Sequence, residues 1–132
     1  MVERQGFTEA EIASFIENIG STDDRYDAPG RHLGYGTAGF RAKATLLERA
    51  CFRVGLVVAM RARSVNGRVG VMITASHNHH ADNGVKIVEP DGSMLVPEWE
   101  MFSEQVVNSE DIREALVRLD DAQFPGLLPL NQ

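Results

Sequence analysis

Val69-Gly70-Val71-Met72-Ile73-Thr74-Ala75-Ser76-His77-Asn78-His79-His80-Ala81-Asp82-Asn83-Gly84-Val85-Lys86-Ile87-Val88-Glu89 is the stretch on which the fold turns. Val69 to Thr74 is a continuous apolar run, short enough for a strand and of the buried kind. Ala75 to Asn83 is polar and rich in turn formers, and Val85 to Glu89 reads as a second strand. A connector of this length suits an antiparallel return. Upstream, Asn66-Gly67 marks a turn, and before it Leu46 to Ser64 predicts a helix. Its Leu46, Leu47, Ala50, Cys51, Val54, Val57 and Val58 leave little polar surface, so it is expected to be mostly buried, with Arg53, Arg61 and Arg63 at its wet edges. Leu33 to Phe40, dense in glycine, reads as an extended segment. The crossover from it through the helix to Val69–Thr74 predicts two strands of parallel direction.

The flanks are helical. Thr8 and Glu11 form a capping box sequence, Phe7 is placed to staple onto Ile12, and Ile12, Phe15, Ile16 and Ile19 make one apolar stripe that Gly20 is expected to end. Pro90-Asp91-Gly92 is a turn. Pro97 opens a helix as its first residue, with Trp99, Phe102 and Val106 on one face. A last helix starts at Ser109 and carries Ile112, Leu116 and Leu119. After Asp121 the periodicity is lost. The expected fold class is therefore α/β, a mixed β-sheet with flanking helices, in one domain spanning residues 1–132.

Composition narrows the function. The chain has 132 residues, 43% apolar and 24% charged, as in ordinary globular proteins. A net charge of −6 argues against a nucleic-acid partner and an anionic membrane surface, since those draw on clustered Lys and Arg. The longest apolar run, Gly55 to Met60, is too short to span a bilayer. The one cysteine, Cys51, fits a reducing compartment, and no apolar leader precedes Thr8. A cytoplasmic location is expected.

Chemistry concentrates around Ser76, which falls just past the first strand, where a loop presents a hydroxyl from a rigid base. His77 and Asn78 add groups that hold anionic oxygen, and Lys86 lies just inside the next strand. The chain has two lysines, Lys43 and Lys86, and both fall near these segments. Gly36-Thr37-Ala38-Gly39-Phe40-Arg41 brings a guanidinium fork suited to phosphate, with glycines that permit close backbone approach. Each feature has a plainer reading: a Ser-His-Asn turn bonded to its own backbone, a solvated Lys86, a surface Arg41. His77, His79 and His80 lack the Cys or carboxylate companions of a metal site and read as solvent-facing. A triad of Ser76, His77 and Asp82 is disfavoured, because consecutive Ser and His do not readily form the nucleophile–base contact.

Gly34-Tyr35-Gly36-Thr37-Ala38-Gly39-Phe40-Arg41, Thr74 to Lys86, Pro90 to Leu95 and Pro97-Glu98-Trp99 together resemble the first domain of the α-D-phosphohexomutase superfamily. The resemblance runs from about Leu33 to Val107. One helix and one strand separate Arg41 from Ser76, which is the arrangement of the phosphoacetylglucosamine mutase branch. The resemblance implies a phosphoserine at Ser76 that exchanges its phosphoryl group with N-acetylglucosamine 6-phosphate and 1-phosphate through a bisphosphate, for UDP-N-acetylglucosamine synthesis. It implies that Arg41, His77, Asn78 and Lys86 hold phosphate. Lys86 would be the general acid or base, and Mg²⁺ would be bound through the Ser76 phosphate. His79 replaces the proline usual after Ser-His-Asn. The family's Asp-rich metal loop, its sugar loop and its carboxy-terminal phosphate loop are not in these residues. The resemblance therefore implies an incomplete first domain, inactive alone, whose partners are the missing domains and a sugar phosphate. A phosphoglucomutase or phosphomannomutase fragment and an inactive phosphate-binding module are the competing readings.

Overall fold

The computed structural model describes residues 8–75 and 78–118. Its elements run α1 (Glu9–Asp23), β1 (Phe40–Lys43), a 3₁₀ turn (Ala44–Leu46), α2 (Glu48–Val65), β2 (Gly70–Thr74), β3 (Asp82–Val88), α3 (Pro97–Asn108) and α4 (Ile112–Val117). The α/β class is as expected from the sequence, and the helices fall close to where their periodicity puts them.

The local signals act as their chemistry requires. Thr8 Oγ1 accepts from the Glu11 N–H at 3.1 Å while Glu11 Oε1 accepts from the Thr8 N–H at 3.3 Å, closing the capping box. Phe7, the staple, and Leu119, assigned to the last helix, lie outside the described residues. Asn66 ends α2 in the left-handed region at φ 50°, a conformation that asparagine tolerates better than most side chains.

Gly20 does not end α1. The helix continues to Asp23, and Gly20 is buried where α1 meets α4; a Cβ there would collide with the Arg113 side chain. Its glycine serves close approach between two helices.

The segment 33–39 is not a strand. Gly36 and Gly39 exchange backbone hydrogen bonds (3.1 and 2.9 Å) around a tight turn with Gly39 at φ 77°, so regular pairing begins only at Phe40. Leu33 is held instead by Asn108, whose side-chain amide accepts from its N–H at 2.8 Å and donates to its carbonyl at 2.7 Å.

The sheet order is β1-β3-β2, and both pairings are antiparallel. β1 and β2 do run in the same direction, as the crossover requires, but β3 returns between them. No parallel pair forms among the described strands, so the sheet is antiparallel where a mixed one was expected. This leaves β2 at an edge. Its apolar residues are correspondingly exposed (Val71 47%, Ile73 61%), in contrast to the buried strand that their run suggests.

The core lies between the sheet and the helices, built from Phe40, Val85, Ile87, Val54, Val57, Met60, Trp99, Phe102 and Ile112. Arg53 sits inside it. Far from a wet edge, it is fully buried, with its guanidinium bidentate on Asp23 at 2.9 and 2.8 Å. Its Nη1 also donates to the carbonyls of Val106 (3.1 Å) and Val107 (3.0 Å), which end α3 without intrahelical partners. Arg61 is largely covered too, pairing with Glu89 at 2.9 and 2.6 Å and lying 5.2 Å over the Trp99 ring.

Candidate functional site at the β2–β3 turn

The pairing register decides which side chains meet. Arg41 stands opposite Gly84, Gly84 opposite Thr74, and Lys86 opposite Met72. Directly opposed residues share a face of an antiparallel sheet, and positions two apart along a strand do as well. Phe40, Ala42, Val85 and Ile87 are the buried set turned toward the core. Arg41, Thr74, Gly84 and Lys86 therefore lie together on the other face. They cluster at the end from which the chain leaves β2 for residues 75–81.

Arg41 extends across that end. Its Nη1 donates to the Thr74 carbonyl at 3.4 Å, and its Nη2 to the carbonyls of Ala75 at 3.1 Å and Asp82 at 3.3 Å. Gly84 makes room for it, since a Cβ there would fall 2.7 Å from Arg41 Nη1 and 3.0 Å from the Ala38 carbonyl. Arg31 Nη2 in turn donates to the Arg41 carbonyl at 3.1 Å.

The glycine turn supports Lys86. A Cβ on Gly39 would strike the Val85 carbonyl and come within 2.6 Å of Lys86 Cβ, so residues 36–39 pack directly on this part of β3. Lys86 is half-buried and lines a small cavity of about 40 Å³ with Tyr35, Thr37 and Ser93. Tyr35 takes over where β1 stops: its hydroxyl accepts from the Ile87 N–H at 2.8 Å and donates to the Ile87 carbonyl at 3.5 Å. Burial pushes its phenol pKa up, which keeps the proton needed for that donation. Sequence reasoning passed over Tyr35 and Gly84 as individual residues, because their part is to satisfy or clear backbone, which no charge pattern signals.

The described part of the connector is a pair of short turns. The Asn78 N–H donates to the Ala75 carbonyl at 2.9 Å, and the Asp82 N–H to the His79 carbonyl at 2.8 Å. His79 and His80 are exposed, with rings 4.1 Å apart, and His79 Nδ1 accepts from the Ala81 N–H at 3.1 Å. Ser76 and His77 lie outside the described residues. Of the sequence-derived candidates, then, Arg41, Asn78 and Lys86 are placed, and Arg41 and Lys86 share one face at one end of the sheet.

Residues 56–113 match the family model for phosphoglucomutase/phosphomannomutase, alpha/beta/alpha domain I. The phosphoacetylglucosamine mutase of Sus scrofa is 47% identical over 91 residues, covering 67% of this chain and 17% of that protein. Among solved structures, an Aspergillus fumigatus N-acetylphosphoglucosamine mutase superposes with a TM-score of 0.76 at 40% identity, over 82% of this chain and 21% of the other. The Aspergillus fumigatus enzyme in complex with GlcNAc-6P and magnesium gives 0.68 at 43% identity, over 78% and 20%. The chain spans less than a fifth of the length of the curated relatives it matches.

Proposed function

We propose that this chain, which belongs to the phosphoacetylglucosamine mutase branch of the α-D-phosphohexomutase superfamily, supplies the phosphoryl-bearing serine of a sugar-phosphate mutase and the cations around it. The observation that carries this reading is the placement of Arg41 and Lys86 on one sheet face, beside the strand end that leads to Ser76.

In the proposed reaction the bond between phosphorus and Ser76 Oγ breaks as one forms to the 1-hydroxyl of N-acetylglucosamine 6-phosphate. The hydroxyl proton goes to a base, and Ser76 Oγ receives one. The resulting 1,6-bisphosphate then turns within the site and returns its 6-phosphoryl group to Ser76, leaving the 1-phosphate. Such transfers depend on in-line positioning and on neutralising charge spread over the phosphoryl oxygens. Arg41, His77, Asn78 and Lys86 are assigned to hold those oxygens, with Lys86 carrying the proton. The product is a precursor suited to UDP-N-acetylglucosamine synthesis in the cytoplasm.

The described residues do not fit a magnesium site by themselves: they contain no group of three or more His, Cys, Asp or Glu side chains able to hold an ion. Mg²⁺ is proposed only as a ligand of the Ser76 phosphate, with its other ligands from elsewhere in a longer polypeptide. No step above is routed through it.

The test is turnover by the longest polypeptide that carries this chain, with N-acetylglucosamine 6-phosphate, a hexose 1,6-bisphosphate and Mg²⁺, and mass spectrometry for phosphate on Ser76. Turnover lost in Ser76→Ala is expected. Equal or better turnover of glucose or mannose phosphates would move the chain to another branch, and an unphosphorylated, inactive protein would leave a phosphate-binding module.

A further inference from the structure

We infer that Arg41, beyond the phosphate contact assigned to it above, is a positioning residue that clamps the mouth of the loop between β2 and β3, fixing the separation of its two arms by a bridge from Thr74 and Ala75 to Asp82. The bridge itself is independent of the proposed reaction. Its consequence for phosphate binding rests on that reading.

The β2–β3 ladder stops at Thr74 opposite Gly84, so beyond this rung the two arms are no longer held by strand pairing with each other. The turns that follow close within their own arms, Asn78 onto Ala75 and Asp82 onto His79. Arg41 reaches both arms at once, bonding Ala75 at 3.1 Å on one and Asp82 at 3.3 Å on the other through the same Nη2, with Nη1 on Thr74. A planar fork with fixed donor directions can do this, whereas a lysine ammonium of equal charge on a single flexible stem cannot reproduce the bridge. The clamp is also anchored. Arg41 pairs with Gly84 in the sheet, its carbonyl receives Arg31, and Gly84 is the residue whose missing Cβ lets the guanidinium lie across β3. Three carbonyl partners direct most of this charge at backbone, leaving Lys86 and the exposed Lys43, which stands opposite Asp82 on the same face, as the more available cations.

The experiment compares Arg41→Lys, Arg41→Ala and Gly84→Ala in the 132-residue chain without any ligand. It follows amide hydrogen exchange by NMR. A clamp predicts that all three variants exchange roughly tenfold to a hundredfold faster at Asn78 and Asp82, the factor expected when hydrogen bonds from a charged donor are lost. Amides of Val54 and Phe102 in the core should be unchanged. Native-like protection in Arg41→Lys would show that charge alone suffices and would overturn the proposal. A second measurement titrates inorganic phosphate against the side-chain resonances of Lys43 and Lys86. Arg41→Lys should weaken the phosphate effect at Lys86 although the formal charge is the same; undiminished binding beside a loosened loop would reduce Arg41 to a local structural bond. Lys86→Gln should abolish the phosphate-induced shifts of the backbone amides around residue 86 without faster exchange. If phosphate leaves Lys86 of the native chain untouched, the phosphoryl-site reading fails, while the exchange data still decide the clamp.

Discussion

Arg53 carries its charge into the middle of the molecule, and the arrangement around it explains why that is tolerated. One edge of the guanidinium meets both oxygens of Asp23, and Nη1 serves the carbonyls at the end of α3. A buried pair of this kind contributes little net stability against an apolar substitute, but losing one partner leaves the other ionised in a dry site. Arg53→Ala should therefore destabilise the chain by about 3 kcal/mol, read from urea or thermal melts, because Asp23 keeps only the longer contact to Arg49 at 3.6 Å and the Val107 carbonyl loses its Arg53 donor. A joint replacement of Asp23 and Arg53 by apolar residues of similar volume should recover much of that loss. If Arg53→Ala alone melts like the native chain, the pair is peripheral. This role was hidden in the sequence. Arg53 sits among apolar residues of α2 as any edge arginine would, and its partner lies thirty positions away on α1. The positions of Arg41 and Lys86 in the sheet were more legible. The order of Gly36–Arg41, Thr74–Asn78 and Lys86 anticipated that Arg41 and Lys86 would lie near one end of the sheet, whereas the bonds from Arg41 to three carbonyls had no signature in residue type.

Elements that depend on local signals were readable, and those that depend on distant partners were not. The capping box fixes the start of α1, and Thr8→Ala should lower stability by about 1 kcal/mol, measurable as a small fall in melting temperature. Its loss without effect would mean that α1 contributes little to the cooperative unit. The far end of α1 was misjudged because a helix-ending glycine and a close-approach glycine look alike until the opposing Arg113 is known. Arg113 also docks α1 onto α4, bonding Glu17 at 2.9 and 3.0 Å and Asp24 at 2.9 Å. Hydrogen bonds from this guanidinium hold the Glu17 and Asp24 carboxyls below their ordinary range. A depressed folded-state pKa gives stability that is present above the unfolded value and lost as pH falls through the folded one. Docking of α1 should thus be pH-independent near neutrality. It should weaken as the pH drops below the usual carboxylate values of about 4. Chemical shifts of α1 followed through an acid titration check this, and Arg113→Leu should remove the acid dependence by removing its source. Both carboxylates are exposed, so salt should blunt the effect.

At the scale of the whole molecule, sheet order is what the sequence concealed, and it governs how the chain meets its surroundings. A connector of the length of 75–81 allows an antiparallel return, but nothing in it says that β3 will settle between β1 and β2. That choice follows from burial. Val85 and Ile87 are the residues that reach the core under α2, so their strand takes the centre and β2 is left outside. The mutase reading predicts that the 132-residue chain has no turnover alone, since the family resemblance assigns the metal and sugar contacts to loops that these residues do not contain; activity that depends on Ser76 would refute this. The edge has a second consequence. Among the described strands β2 pairs only with β3, and Val71, Met72 and Ile73 are 47%, 47% and 61% exposed in succession. Beside them an open cleft of about 660 Å³ is lined by Tyr26, Leu47, Cys51, Phe52 and Ile73. An exposed apolar edge strand is a template for another strand, and an identical β2 from a second copy offers a partner of matching length and character. The chain is therefore expected to self-associate with rising concentration, seen by sedimentation or light scattering. Ile73→Lys should suppress it, because the substitution places a charge on the edge without disturbing the buried partners Val85 and Ile87. A native chain that stays a monodisperse monomer, melting sharply, would show that this edge is already protected and that the exposure of β2 has no partner to answer it.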